Sequence, residues 1–169
     1  EQQKVLDTVY RNSEELLELI DNVLWMTSLN AGDAGALVGE FEVRDLVQES
    51  VKRYQKMLDE KGLRIAVELP DFRLTLSNDR AKVERIIQNI LSNAVKFTAQ
   101  GEVKVSMRPG ANPRSVDLEI VDTGAGIDPG KLATIYEPFQ QLDVAAHRAA
   151  SGLGLGLAVA RRMAQLIGG

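Results

Sequence analysis

Near the end of the chain, residues 151–163 read SGLGLGLAVARRM, with Gly152, Gly154 and Gly156 alternating with leucine ahead of a helix-forming run. Glycine costs roughly 0.5–1 kcal/mol relative to alanine inside a helix, so three of them at a helix start need a compensating reason. A helix N-terminus offers free backbone N–H groups and the positive end of the helix dipole, which together favour an anion. Bare glycine backbone keeps side chains away from such an anion and leaves the loop before it mobile. A nicotinamide-binding fingerprint would follow the first strand of a βαβ unit. These glycines instead follow a long irregular stretch near the C-terminus, so that use does not fit.

The rest of the composition narrows the field. The 169 residues are enough for one ordinary domain, or a domain with a helical appendage. With 44% hydrophobic and 26% charged residues and a net charge of −4, the chain reads as globular and lacks the basic face a nucleic-acid binder needs. Arg161 and Arg162 read as a solvated helix face. There is no cysteine, which excludes disulfides and thiolate metal sites and fits a reducing, cytoplasmic compartment. No apolar run reaches membrane-spanning length and no signal peptide opens the chain, so this stretch is expected to lie outside the membrane even if cut from a membrane-anchored parent.

Residues 1 to about 30 read as one long helix. Val9, Leu16 and Val23 recur every seven residues, with Leu6 and Ile20 on the neighbouring stripe beside Leu19, and Glu14, Glu15, Glu18 and Asp21 between them. This is the seam of a coiled coil or helical hairpin and implies a partner helix. A terminal helix packed on its own domain is the alternative. The aperiodic NAGDAGALVGE, residues 30–40, marks the domain boundary. Beyond it, EFEV is strand-like, and Arg44 to Glu60 forms an amphipathic helix stopped by Lys61–Gly62. LRIAVEL and FRLTL are strands, and Asp79 offers an N-cap for a helix to about Lys96. EVKVSM and SVDLEIV form a strand pair across the turn RPGANPR. The loop DTGAGIDPG, a short helical piece, a loosely patterned stretch from Gln140 to Ser151 and the closing helix complete the chain. Mixed helices and adjacent strands predict an α+β fold, a two-layer α/β sandwich, preceded by a long N-terminal helix.

Two further stretches suit a phosphate-bearing ligand. In QNILSNAVKFT, residues 88–98, Asn89 and Asn93 are four apart and Lys96 three further on, so they share one helix face. Carboxamide oxygens are hard ligands suited to magnesium, and a lysine one turn on supplies a point charge for phosphate. A pair of surface polar residues is the alternative. In DTGAGI, residues 122–127, a carboxylate at a strand end can accept a hydrogen bond from an exocyclic amine such as adenine's, while the glycines turn the backbone. A plain strand-to-helix turn has the same composition.

Taken in order over about residues 40–169, these stretches resemble the ATP-binding domain of sensor histidine kinases. This is the Bergerat fold, shared with DNA gyrase, a heat-shock chaperone and a mismatch-repair ATPase. NILSNAVKFT is similar to the family's asparagine box, DTGAGI to its first glycine box, YEPFQQ to its phenylalanine box, and GLGLGLAVARRMAQLIGG to its second glycine box and the following helix. LIDNVLWMTSLNAGD resembles the end of the second helix of the dimerisation and histidine-phosphotransfer hairpin, which assigns residues 1–31 to that helix and 40–169 to the catalytic domain. The resemblance implies that Asn93 binds magnesium and that Asn89 holds the phosphates or positions the reacting group, a catalytic role. Lys96 contacts phosphate, and Phe97 lines the nucleotide pocket. Asp122 recognises the adenine amine, with Gly124, Gly126 and Ile127 shaping its loop. Phe139 begins a mobile lid that runs to about Ser151, and the stretch Gly152, Leu153, Gly154, Leu155 and Gly156 closes it over the phosphates. The implied partners are ATP with Mg²⁺, a second copy through the N-terminal helix, and the receiver domain of a response regulator.

The pattern departs from the family in three places. The phosphoacceptor histidine belongs to the first hairpin helix, which this sequence does not contain, and the sole histidine, His147, falls in the lid and is expected to face solvent. Arg85 stands where many relatives carry glutamine. The family continues past LIGG into a strand hairpin, so the sequence is expected to be a fragment with a sheet edge left bare. Two rivals follow: a degenerate, non-catalytic dimerisation or signalling module of the same fold, and a gyrase- or chaperone-type ATPase with a glutamate base. Asn89 occupies that glutamate's position, and an amide cannot act as a base.

Overall fold

The computed structural model describes residues 2–31, 37–112, 115–141 and 153–169. Helix α1 runs Gln2–Ala31, strand β1 Val38–Glu42, helix α2 Val43–Lys61, strands β2 Arg64–Glu68 and β3 Thr75–Asp79, helix α3 Arg80–Phe97, strands β4 Glu102–Pro109 and β5 Val116–Asp122, and helix α4 Gly156–Leu166. A 3₁₀ turn, Pro129–Lys131, lies between β5 and α4.

The strands form two sheets. β2 pairs parallel with β4, and β4 pairs antiparallel with β5, giving the mixed three-stranded sheet expected of the α+β sandwich. β1 and β3 form a separate antiparallel pair in which Val38 faces Asp79. That register moves β3 three residues beyond the FRLTL of the sequence pattern, because pairing with β1 rather than local alternation sets its limits. In β4 the residues alternate, with Val103, Val105 and Met107 buried and Glu102, Lys104 and Ser106 only partly so. Those three side chains meet Leu46, Val47, Val51 and Leu58 of α2 and Ile87, Leu91, Ala94 and Val95 of α3. Helices on one face and sheet on the other make the two layers. Each buried Val, Leu or Ile contributes about 1.5–3 kcal/mol by leaving water.

Local chemistry fixes where the helices begin and end. Gly62 takes the left-handed conformation, φ 64°, that closes α2, and its N–H donates to the Asp59 and Leu58 carbonyls. Lys61 Nζ then reaches the far end of α3 and donates to the carbonyls of Val95 (2.6 Å), Lys96 (2.9 Å) and Thr98 (3.3 Å). It satisfies carbonyls that have no partner inside the helix, although burial lowers the pKa of this ammonium. At the other end, Asp79 caps α3 by accepting from the Lys82 N–H at 3.0 Å. The same carboxylate pairs with the buried Lys82 ammonium at 2.5 Å and accepts from the Leu37 N–H at 3.0 Å.

The N-terminal helix divides its apolar seam. Near its C-terminal end, Trp25, Met26 and Leu29 pack with Val159 and Met163 of α4 and with Ile86 of α3. The seam residues Leu6, Val9, Leu16, Ile20 and Val23 are exposed. The helix therefore docks on its own domain at one end and presents an uncovered apolar stripe along the rest.

Burial alone would push the Asp79 carboxyl up, but the Lys82 ammonium and the two backbone N–H donors outweigh it and hold the group below its ordinary range. A carboxylate whose folded pKa is lowered stabilises the fold above its unfolded pKa, and that contribution is lost as pH falls through the folded value. Removing one partner of a buried pair costs about 3–5 kcal/mol. Asp79→Asn is expected to lower the urea-unfolding free energy by about 3 kcal/mol at neutral pH, and the gap from the unsubstituted chain should narrow below about pH 4.

Candidate functional site

α3 carries the polar face that the sequence singled out, and its packing brings the other two stretches to it. Asn89 is 3% exposed and lies against the start of α4: a Cβ on Gly156 would stand 3.5 Å from Asn89 Oδ1. The Asn89 Nδ2 group is buried with no hydrogen-bond partner among the described residues. An unpaired buried donor costs about 1–3 kcal/mol. The first turn of α4 opens at Leu155 with no side-chain cap, so its N–H groups point out of the helix uncovered by a cap residue. Asn93 and Lys96 follow Asn89 along α3 and are partly buried, and Phe97 is 40% exposed.

The turn after β5 meets α3 at its C-terminal end. Asp122 is exposed, and its Oδ1 accepts from the Gly124 N–H at 2.8 Å, an Asx turn that uses one of its two oxygens. Gly124 lies so close to the Phe97 carbonyl that a Cβ there would come within 2.7 Å of that oxygen and of Asp122 Oδ1. Gly126 adopts φ 71°, a conformation open to glycine and strained for most other residues. Ile127 is 41% exposed on the same loop.

Phe139 also holds a positive φ, 64°, is exposed, and donates its N–H to the Gly154 carbonyl at 3.2 Å. A Cβ on Gly154, itself at φ 67°, would sit 2.2 Å from the Gln140 carbonyl oxygen. The two ends of the expected lid are thus side by side, and only glycine fits at that crossing. Leu153 is exposed and Leu155 is buried. Gly152, His147 and the lid residues 142–151 lie outside the described residues. Arg161 is exposed, as expected of a solvated helix face, and stands 5.0 Å over the Tyr136 ring, which ties the preceding loop to α4.

Several residues of this region carry no motif. Glu18 of α1 accepts from Ser92 Oγ at 3.1 Å and pairs with Lys96 Nζ at 2.7 Å. Arg85 donates through Nη2 to Asn22 Oδ1 at 3.1 Å and lies 3.8 Å from the Asp21 carboxylate. The unusual arginine therefore faces α1. Tyr54 of α2 donates to the Gln88 carbonyl at 3.1 Å. Seven-residue spacing marks Glu18 only as a polar flank of the seam, and nothing local in the sequence pairs it with α3.

Comparison with known proteins identifies the architecture. Residues 78–169 match the family described as histidine kinase-, DNA gyrase B-, and HSP90-like ATPase, and the chain belongs to it. Within that family it is the histidine kinase type of ATP-binding domain. It is 32% identical to the histidine protein kinase DivJ of Caulobacter vibrioides over 96% of this chain and 27% of that protein. It is also 32% identical to the sensor protein TorS of Escherichia coli, over 97% of this chain and 18% of TorS. The chain thus spans about a quarter or less of these relatives. Among solved structures it resembles full-length ShkA in complex with AMPPNP, with a TM-score of 0.80 and 29% identity over 99% of this chain and 35% of that one. The Acinetobacter baumannii histidine kinase AdeS shares the fold at a TM-score of 0.71.

Two outcomes follow from this geometry. Gly124→Ala is expected to lower the unfolding free energy by about 1–3 kcal/mol, because backbone at Phe97 must move, and chemical denaturation measures it. Burial, then the charge of Glu18, push the Tyr54 hydroxyl up to about 12 against a weaker opposing bond from Ser92. A raised folded pKa gives stability that is complete below the unfolded value, about 10, and is lost as pH rises toward 12. The melting temperature should therefore fall more steeply across that interval than in Tyr54→Phe.

Proposed function

We propose that residues 40–169 bind Mg-ATP between α3, the Asp122 turn and the start of α4, and present its γ-phosphoryl group to a histidine on a dimerisation hairpin whose second helix is residues 1–31. The observation that best supports this reading is the buried Asn89 Nδ2, which has no partner among the described residues, beside the uncapped N-terminus of α4, a pair of donors matched to phosphate oxygens. The donor set fits the whole nucleotide. The second oxygen of Asp122 accepts from the adenine amine, Gly124, Gly126 and Ile127 shape the loop around the base, and Phe97 lines the pocket. Asn89 and Lys96 hold phosphate, with Asn89 placed to orient the transferring group. Phe139 and the stretch Gly152, Leu153, Gly154, Leu155 and Gly156 close over it.

Asn93 supplies a hard carboxamide oxygen suited to Mg²⁺, which characteristically keeps most of its shell for phosphate and water. When bound, the ion neutralises charge on the phosphate oxygens. Phosphoryl transfer needs mainly positioning and charge neutralisation, and this chain's contribution is to hold the nucleotide in line with a nucleophile carried elsewhere. His147, the sequence's one histidine, has no part in this scheme. The phosphoryl group then passes from the hairpin histidine to an aspartate of a response-regulator receiver domain. The exposed stripe of Leu6, Val9, Leu16, Ile20 and Val23 is the contact with a second copy of α1.

Calorimetric titration with a non-hydrolysable ATP analogue, with and without magnesium, tests the site. Asp122→Asn keeps an oxygen for the Gly124 N–H but turns the second acceptor into a donor. It is expected to weaken binding about tenfold or more while the unfolding free energy stays within about 0.5 kcal/mol. Asn93→Ala should abolish the enhancement by magnesium. Unchanged affinity in both variants would overturn the assignment.

A further inference from the structure

Lys96 stands on the border between two faces of α3. On one side lie Asn89 and Asn93. On the other lie Ser92 and Arg85, and both of these are taken by α1. The Glu18 carboxylate uses its two oxygens separately, one on Ser92 Oγ at 3.1 Å and one on Lys96 Nζ at 2.7 Å. It thereby holds the hydroxyl and the ammonium much as a phosphate would. The pair is well shielded, with side-chain exposures of 20% for Lys96 and 29% for Glu18. Asn22 and Asp21, on the same stretch of α1, engage Arg85 one helical turn before Asn89. Trp25, Met26 and Leu29 extend the contact to Val159 and Met163 of α4. One segment of α1 therefore touches both helices that frame the proposed phosphate site.

From this geometry we infer that α1 is a latch on the nucleotide site: Glu18 occupies Lys96 in place of phosphate, so docking of α1 and binding of nucleotide phosphates oppose one another. The inference rests on the proposed assignment of Lys96 to phosphate. A polyphosphate drawn to Lys96 must approach the Glu18 carboxylate closely, and repulsion at a shielded position is poorly screened by salt. Either the phosphate contact is weakened or Glu18 leaves. Such coupling is reciprocal, so nucleotide loosens α1 by the same factor by which docked α1 weakens nucleotide binding. Asn22 and Arg85 keep α1 in register while Glu18 supplies the charge that phosphate displaces. Release of α1 would free the hairpin's second helix from the nucleotide-binding part, coupling occupancy of the site to movement of the two parts.

The test uses the whole chain. Glu18→Gln keeps the shape and the bond to Ser92 but removes the charge. It is expected to bind the magnesium complex of a non-hydrolysable ATP analogue about three- to tenfold more tightly, the scale of one partly exposed ion pair. Adenosine, which has no phosphate, should bind both proteins alike. Asp117→Asn, which removes an equal charge at the Arg108 pair on the β4–β5 hairpin, should change nothing. On a Lys96→Met background the effect of Glu18→Gln should vanish. Trp25, the only tryptophan, reports α1 directly, and its emission should move to longer wavelength when nucleotide is added to the unsubstituted chain. Equal or weaker nucleotide affinity in Glu18→Gln, an equal gain for adenosine, or a Trp25 spectrum unmoved by saturating nucleotide would each overturn the latch while leaving the nucleotide site intact. Failure of every protein to bind the analogue overturns the ATP site itself, and the latch with it.

Discussion

The Asp79 carboxylate ties the junction of β3 and α3 to the distant segment that leads into β1. It ends β3, caps α3 through the Lys82 N–H, neutralises the buried Lys82 ammonium and takes the Leu37 N–H just before β1. Because β1 pairs only with β3 among the described strands, this group fixes the small sheet against the first turn of α3. The direction in which α3 sets off determines which of its faces meets the β2–β4–β5 sheet and which is left for the asparagines. At the far end, Lys61 closes α3 by bonding its last carbonyls, so the helix is held at both ends by charged side chains. These interactions act on position as much as on stability, since Asn89, Asn93, Lys96 and Phe97 inherit their placement from the helix axis.

With its axis fixed, α3 serves three neighbours. Ile87, Leu91 and Val95 are buried in the core under β4. Asn89 turns to the first turn of α4, and the Phe97 carbonyl abuts Gly124. Arg85, Ser92 and Lys96 face α1. A helix with so little free surface transmits a change at one neighbour to the others, because its side chains are close-packed and cannot yield independently. That is the physical basis of the coupling proposed between the N-terminal helix and the nucleotide site.

Much of this could be read from the sequence. The period of the apolar residues located α2, α3, β4 and β5 to within a residue or two, since those elements bury one face and expose the other. Asp79 was identifiable as a cap and Gly62 as a stop because each satisfies a local backbone need. The asparagine, Asp122 and glycine stretches were identifiable as candidates because their residue types are costly or unusual without a ligand. The start of β3 was misplaced because its limits come from pairing with β1 across 32 intervening residues. The exposed face that carries Arg161 was legible from its charge, but its ring partner Tyr136 was not, because Tyr136 belongs to an aperiodic loop.

The order and chemistry of the motifs, and the alternation of helices and strands, were determined by the sequence itself, because they depend on period, capping and residue type within a few turns of chain. Tertiary structure alone decided that Gly156 faces Asn89, that Gly124 fits only beneath the Phe97 carbonyl, and that Phe139 and Gly154 lie side by side. It also decided that Arg85 and Lys96, one unexplained and the other assigned to phosphate, both meet α1. These contacts join residues many positions apart through charge and shape, and no local pattern encodes which distant partner a side chain finds once the core has closed.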